Sequence, residues 1–191
     1  METAIRKKES WDMGYTVADI EALPEGQRAE LIDGEMYMMA SPSATHQAVQ
    51  IWLATEIYAK IREKGGKCKA FSAPFAVYIM EDDKNYVEPD IVVICDRDKI
   101  DKKGCQGAPD WVIEIVSPFS KKMDFYKKLD LYERAGVREY WVIDASKKAI
   151  VIYTLENEGI PEIHSFSDVV KAAVLGDFEI DFSKMTDYEF E

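Results

Sequence analysis

The chain has 191 residues, 47% apolar and 12% aromatic, and its 24 Lys+Arg against 36 Asp+Glu give a formal charge of −12. So many large apolar side chains exclude a low-hydrophobicity disordered polymer, and the length suits a single domain, residues 1–191, burying roughly 70% of its unfolded surface. No run approaches the ~20 apolar residues that cross a bilayer, and no apolar stretch follows the basic residues near Met1, so a cytoplasmic protein with no membrane partner is expected.

Thr16 followed by Asp19 predicts a short capped helix that stops near Pro24. Glu30-Leu31-Ile32 and Glu35-Met36-Tyr37-Met38-Met39, joined by Asp33-Gly34, read as a hairpin with a two-residue type I′ turn. From Ser43 to Lys64 the residues Val49, Trp52, Leu53, Ile57 and Ile61 recur at helical spacing, and Gly65-Gly66 ends the pattern. Three strands are expected next, over about 68–79, 87–95 and 111–116. A second long helix should run from Ser120 to Ala135, with Gly136 at its C-cap. A strand over 140–143, another over 150–155, and a structured acidic periphery over 156–191 complete the order. The central part therefore reads helix, three strands, helix, strand.

Three charged residues stand where apolar ones belong. In the strand Trp111–Val116 side chains alternate, so Val112, Glu114 and Val116 share one face and Trp111, Ile113 and Ile115 the other. A lone buried carboxylate at 114 costs several kcal/mol unless compensated; a structural ion pair or a functional site would each supply a partner. Asp90 follows Pro89 and opens the apolar run Ile91–Cys95, a place where turn chemistry competes with a functional reading. On the second helix Lys128 falls within the stripe of Phe125, Leu129 and Tyr132. It can run its methylenes along the core and surface its ammonium, or face the acid on the preceding strand. Two strand carboxylates and a helix lysine suit a hard divalent cation and phosphodiester hydrolysis, because the ion activates water while cations stabilise charge on phosphate.

The charge is uneven: residues 155–191 hold ten acids against two lysines. Elsewhere bases cluster at Lys60–Lys69, Arg97–Lys103 and Lys121–Lys128, as a positive cleft or as solvated faces. Cys68, Cys95 and Cys105 are odd in number and lack knuckle spacing, so reduced thiols are expected. Neither a Ser-His-Asp pattern nor a glycine-rich phosphate loop is present.

Val87-Glu88-Pro89-Asp90-Ile91, Gly107-Ala108-Pro109-Asp110-Trp111 continuing to Pro118, and Asp124 to Asp144 resemble motifs of the Uma2 family, also called DUF820. Tyr15-Thr16, Leu23-Pro24, Glu30 to Glu35 and Ser41 to His46 extend the resemblance, which covers about residues 15–155. It implies an α/β, restriction-endonuclease-like fold of the PD-(D/E)xK superfamily, with a mixed sheet flanked by helices, the N-terminal hairpin and additional C-terminal strands. It also implies that Asp90, Glu114 and the carbonyl of Ile115 hold Mg²⁺ or Mn²⁺, that Glu30 is an additional acid, and that DNA is cut by an endonuclease mechanism. Val116 stands where the pattern has lysine, so Lys128 is expected to supply the amine. His46 matches the family too, with capping, phosphate contact and a structural role all open, and Ser117 either caps the second helix or lies beside the site. The alternative is a catalytically inactive binding or regulatory module, with a homodimer compatible with either.

Overall fold

The computed structural model describes residues 14–117, 120–157, 160–176, 178–186 and 188–190. The N-terminal stretch read above for a secretory signal lies outside them. Among the described residues no helix is long and apolar enough to cross a membrane.

The elements follow the expected order. The short helix α1 (Val17–Glu21) precedes the hairpin β1 (Ala29–Ile32) and β2 (Glu35–Met38). Asp33 and Gly34 both have positive φ, 50° and 77°, as a type I′ turn requires. Helix α2 (Ala44–Glu63) begins where Ser43 accepts the N–H of His46. Next come β3 (Lys69–Ser72), β4 (Val77–Tyr78), β5 (Ile91–Ile94), β6 (Cys105–Gln106) and β7 (Trp111–Ile115). A π-helical stretch, Met123–Lys128, runs into α3 (Leu129–Ala135), which stops at Gly136 in the left-handed conformation. The strands β8 (Glu139–Asp144), β9 (Ala149–Thr154), β10 (Glu162–Ser165), β11 (Val169–Ala172) and β12 (Phe178–Asp181) follow.

Six strands form one mixed sheet in the order β10-β9-β8-β7-β5-β3. Within this sheet, among the described residues, only β7 and β8 pair in parallel, because the helix between them returns the chain to the same end of the sheet. The segment expected as one strand over 68–79 is two: Pro74 offers no N–H to continue the ladder, and β4 leaves the main sheet to pair with β6. Alternation along β7 is as expected. Trp111, Ile113 and Ile115 pack with Val49, Leu53 and Ile57 of α2, while Val112 and Val116 pack with Leu131 and Tyr132 on the opposite face.

Two expectations are corrected. The acidic C-terminal part is more than periphery: β11 and β12 alternate, so Val170, Phe178, Ile180 and neighbouring Phe182 complete the core on the α2 face while Lys171 and Glu179 point outward. The thiols at 68 and 95 are not reduced; Cys68 and Cys95 form a disulfide. Lys69 pairs with Ile94 in the antiparallel register, which places these cysteines opposite one another just beyond the ladder. Distance in sequence hid that adjacency. Cys105 is free and buried.

Candidate active site

Three elements bring four charged side chains to one end of the β7 face. From β1 comes Glu30, from β7 Glu114, and from the π-helical stretch Asp124 and Lys128. All four are under 6% exposed. Lys128 Nζ lies 2.8 Å from Glu30 Oε2, 2.8 Å from Glu114 Oε1 and 3.8 Å from Asp124 Oδ1. The helix lysine therefore faces the acid on the preceding strand, and its ammonium is enclosed by carboxylates. Tyr132, one turn further, donates its hydroxyl to Glu114 Oε1 at 2.7 Å.

Asp90 sits beside this cluster, immediately before β5. Its N–H points to Glu114 Oε2 at 3.4 Å, and its Oδ2 accepts the N–H of Ile115 at 2.7 Å. The side chain of Ile115 lies on the opposite face with the α2 core; only its main chain reaches the site. The loop carrying Asp90 is held by Glu88, whose N–H donates to Glu30 Oε1 at 3.0 Å. The Glu88 carboxylate is itself satisfied, by Arg28 on one oxygen and the Tyr86 hydroxyl on the other.

The residues expected to act together, Glu30, Asp90, Glu114 and Lys128, are thus neighbours, with the Ile115 main chain against Asp90. His46 also reaches the site: its Nε2 is 3.0 Å from Asp90 Oδ2. Ser117 exchanges hydrogen bonds with Ser120 ahead of the helix, the capping alternative. Asp124, Tyr132, Gln50 and Glu88 were not singled out from sequence. For Asp124 and Tyr132 a signal existed, since they stand four residues before and after Lys128 on the same helix stripe.

The electrostatics follow from three carboxylates gathered around one ammonium, with Asp90 beside them. Burial pushes the Glu114 carboxyl well above its usual value; Lys128 opposes the shift, and Asp90, Asp124 and Glu30 reinforce it. Asp124 is raised as well, again chiefly by burial. Burial alone would discharge Lys128, but Glu114, Glu30 and Asp124 outweigh it and hold the amine charged. At His46 burial disfavours the imidazolium, yet the carboxylate of Asp90 and the Ile115 main chain shift it upward overall.

The donor set fits a hard divalent cation. Among the described residues Asp90 Oδ1 accepts no hydrogen bond, and Glu114 Oε2 receives only the 3.4 Å contact. Two such oxygens, on β7 and at the entry to β5, in a cluster with more carboxyl groups than ammonium groups, suit an ion that takes one or two carboxylates and keeps several waters. Among the described residues no three His, Cys, Asp or Glu side chains form a ready-made cage, which an ion completed by water does not need.

The model of the Uma2 family, described as "Putative restriction endonuclease", matches residues 17–183. The "Uncharacterized protein slr1290" of Synechocystis is 26% identical over 136 residues, which is 70% of this chain and 69% of that protein. A crystal structure of "a putative nuclease belonging to DUF820" from Anabaena variabilis superposes with a TM-score of 0.73 at 21% identity, covering 91% of this chain and 98% of that one. At that identity the likeness carries the fold, and the expected mixed-sheet nuclease-like architecture agrees with it.

Proposed function

The chain belongs to the Uma2 family, and from that premise we propose that it is a Mg²⁺- or Mn²⁺-dependent endonuclease hydrolysing phosphodiester bonds in DNA. The observation that carries this reading is the buried meeting of Glu30, Glu114 and Lys128 beside Asp90. Asp90, Glu114 and the Ile115 carbonyl would hold the ion. Bound there, it supplies Lewis-acid polarisation of a phosphate oxygen and an acidified water.

The chain's own residues account for the rest. Val116 shares a face with Glu114, so a lysine at 116 would have delivered its amine beside that acid. Lys128 delivers one there from the helix instead, 2.8 Å from Glu114 Oε1. An ammonium fixed before reaction stabilises charge growing on a phosphate without reorganising. Glu30 and Asp124 hold it in place, and Tyr132 fixes the Glu114 oxygen that faces it.

The test is incubation of the full chain with supercoiled plasmid and with single-stranded DNA in Mg²⁺ or Mn²⁺. Cleavage is expected only with the ion, is abolished by chelation, and falls by about two orders of magnitude or more in Asp90→Ala, Glu114→Ala and Lys128→Met. Cleavage untouched by those changes would overturn the proposal. A second reading, an inactive binding module, is favoured by one observation: Lys128 bonds both Glu30 and Glu114, so the cluster is also a complete structural ion-pair network. Absence of cleavage on every substrate, with a chain that still folds, would leave that reading.

A further inference from the structure

Helix α2 reaches Asp90 twice, one turn apart. His46 sets Nε2 3.0 Å from Asp90 Oδ2, and Gln50 donates its side-chain amide to the Asp90 carbonyl at 2.9 Å. Because Oδ2 also takes the Ile115 N–H, one carboxylate oxygen faces two nitrogens while, among the described residues, the other faces none. A carboxylate turns easily about its last torsion and can offer either oxygen or both. Tied to a helix and to a strand through the same oxygen, this one cannot.

Both arms leave an ordered helix end. Ser43 accepts the N–H of His46 at 3.2 Å, and Gln47 donates to the Gln50 side-chain oxygen at 2.7 Å, which leaves the Gln50 amide to face Asp90. An ionised carboxylate oxygen only accepts, so the ring nitrogen facing it carries the proton. The other nitrogen, Nδ1, is buried and has no hydrogen-bond partner among the described residues. A histidine kept for its own hydrogen bonding would satisfy both nitrogens. This ring buries one unsatisfied in order to place the other.

Resting on the metal-dependent reading above, we propose that His46 is a positioning residue for Asp90. Its Nε2–H pins Oδ2 so that Oδ1 alone is offered to the divalent ion, and Gln50 fixes the main chain beneath. Outer partners of this kind set metal affinity by keeping a ligand in one orientation before the ion arrives.

Calorimetric titration of the full chain with Mn²⁺, without DNA, tests this independently of cleavage. His46→Ala should weaken Mn²⁺ binding by about 10- to 100-fold while the metal-free melting temperature stays close to that of the parent. His46→Gln, whose amide N–H can meet the same oxygen, should recover most of the affinity, and Asp90→Ala should lose it. Parental affinity in His46→Ala would overturn the proposal. So would nitrogen coupling from an imidazole in the electron paramagnetic resonance spectrum of bound Mn²⁺, which would make His46 a ligand. A fall in melting temperature with no recovery in His46→Gln would reduce the residue to a structural role and overturn it too. If the parent takes up Mn²⁺ through Asp90 and His46→Ala loosens it, but no DNA is cut, the nuclease reading fails and the positioning role stands. A parent that takes up no Mn²⁺ overturns both.

Discussion

Replacing Lys128 with methionine keeps the volume of the side chain and removes the charge that three buried carboxylates surround at 2.8, 2.8 and 3.8 Å. Breaking a buried ion pair by deleting one partner costs about 3–5 kcal/mol, since the survivors stay buried and unpaired. Protonation limits the damage. Keeping one carboxyl with an ordinary value of 4.5 protonated at about pH 7.5 costs about 4 kcal/mol, at roughly 1.4 kcal/mol per unit. The two routes agree, so a loss of about 4 kcal/mol is expected at that pH. In the variant the folded state holds a proton that the unfolded chain releases above its ordinary value, so stability falls as pH rises and recovers as pH falls towards that value. The deficit should shrink to about 1.4 kcal/mol near pH 5.5. Urea unfolding followed by fluorescence of the buried Trp111 and Trp141 measures both numbers. A deficit below about 1 kcal/mol, the scale of an exposed pair, or one independent of pH, would refute the picture of a single ammonium balancing the cluster.

Tyr132→Phe removes the hydroxyl that donates to Glu114 Oε1; a stability loss of about 1.5–3 kcal/mol is expected, with reduced cleavage in the plasmid assay. Gly104 has φ of 149°, and a Cβ there would meet the Ala76 carbonyl oxygen at 2.1 Å. Gly104→Ala should therefore force β4 and β6 apart, at a cost of several kcal/mol, seen as a lowered melting temperature. Burial pushes the Cys105 thiol up to about 11, and Cys68 is bonded to Cys95, so the folded, unreduced protein should show no thiol to a chromogenic disulfide reagent at neutral pH. One thiol should appear in denaturant without reductant; three would contradict the Cys68–Cys95 pairing.

Local rules made much of the fold readable. Asp33-Gly34 can take the paired positive φ values of a tight hairpin turn, Ser43 can cap, and Gly136 can adopt the left-handed conformation. Each acts within a few residues, so each is visible in the chain itself. The disulfide and the departure of β4 from the main sheet are different in kind. Cys68 meets Cys95 only because β3 and β5 pair in one register, and register is decided across the sheet. The C-terminal strands misled for a related reason. Ten acids dominate residues 155–191, yet along β12 Glu179 and Asp181 alternate with Phe178 and Ile180, and it is the apolar positions that enter the core.

At the site, the anomalies that pointed inward were polar residues in apolar patterns. Glu114 interrupts a strand with two apolar faces, and Lys128 interrupts a helix stripe; the cost of burying either alone required a partner, and each is the other's. Asp124 and Tyr132 belong to the same stripe, although the apolar pattern marks it by Phe125, Leu129 and Tyr132. The buried positions are 124, 128, 131 and 132, so the stripe is centred nearer Lys128. The π-helical stretch adds to the difference, because its wider turn steps fewer degrees per residue than the α-helix assumed in reading the pattern, and such turns recur at functional sites. His46 was the least legible of all. Nothing in its neighbourhood in the chain connects it with Asp90, 44 residues away. That contact exists because α2 packs its Val49, Leu53 and Ile57 against the far face of the sheet, which carries its first turn to the edge where Asp90 enters β5. The core packing of one helix thus sets His46 against one oxygen of the Asp90 carboxylate, and a substitution in that packing, such as Leu53→Ala, should be felt at the site through the position of His46.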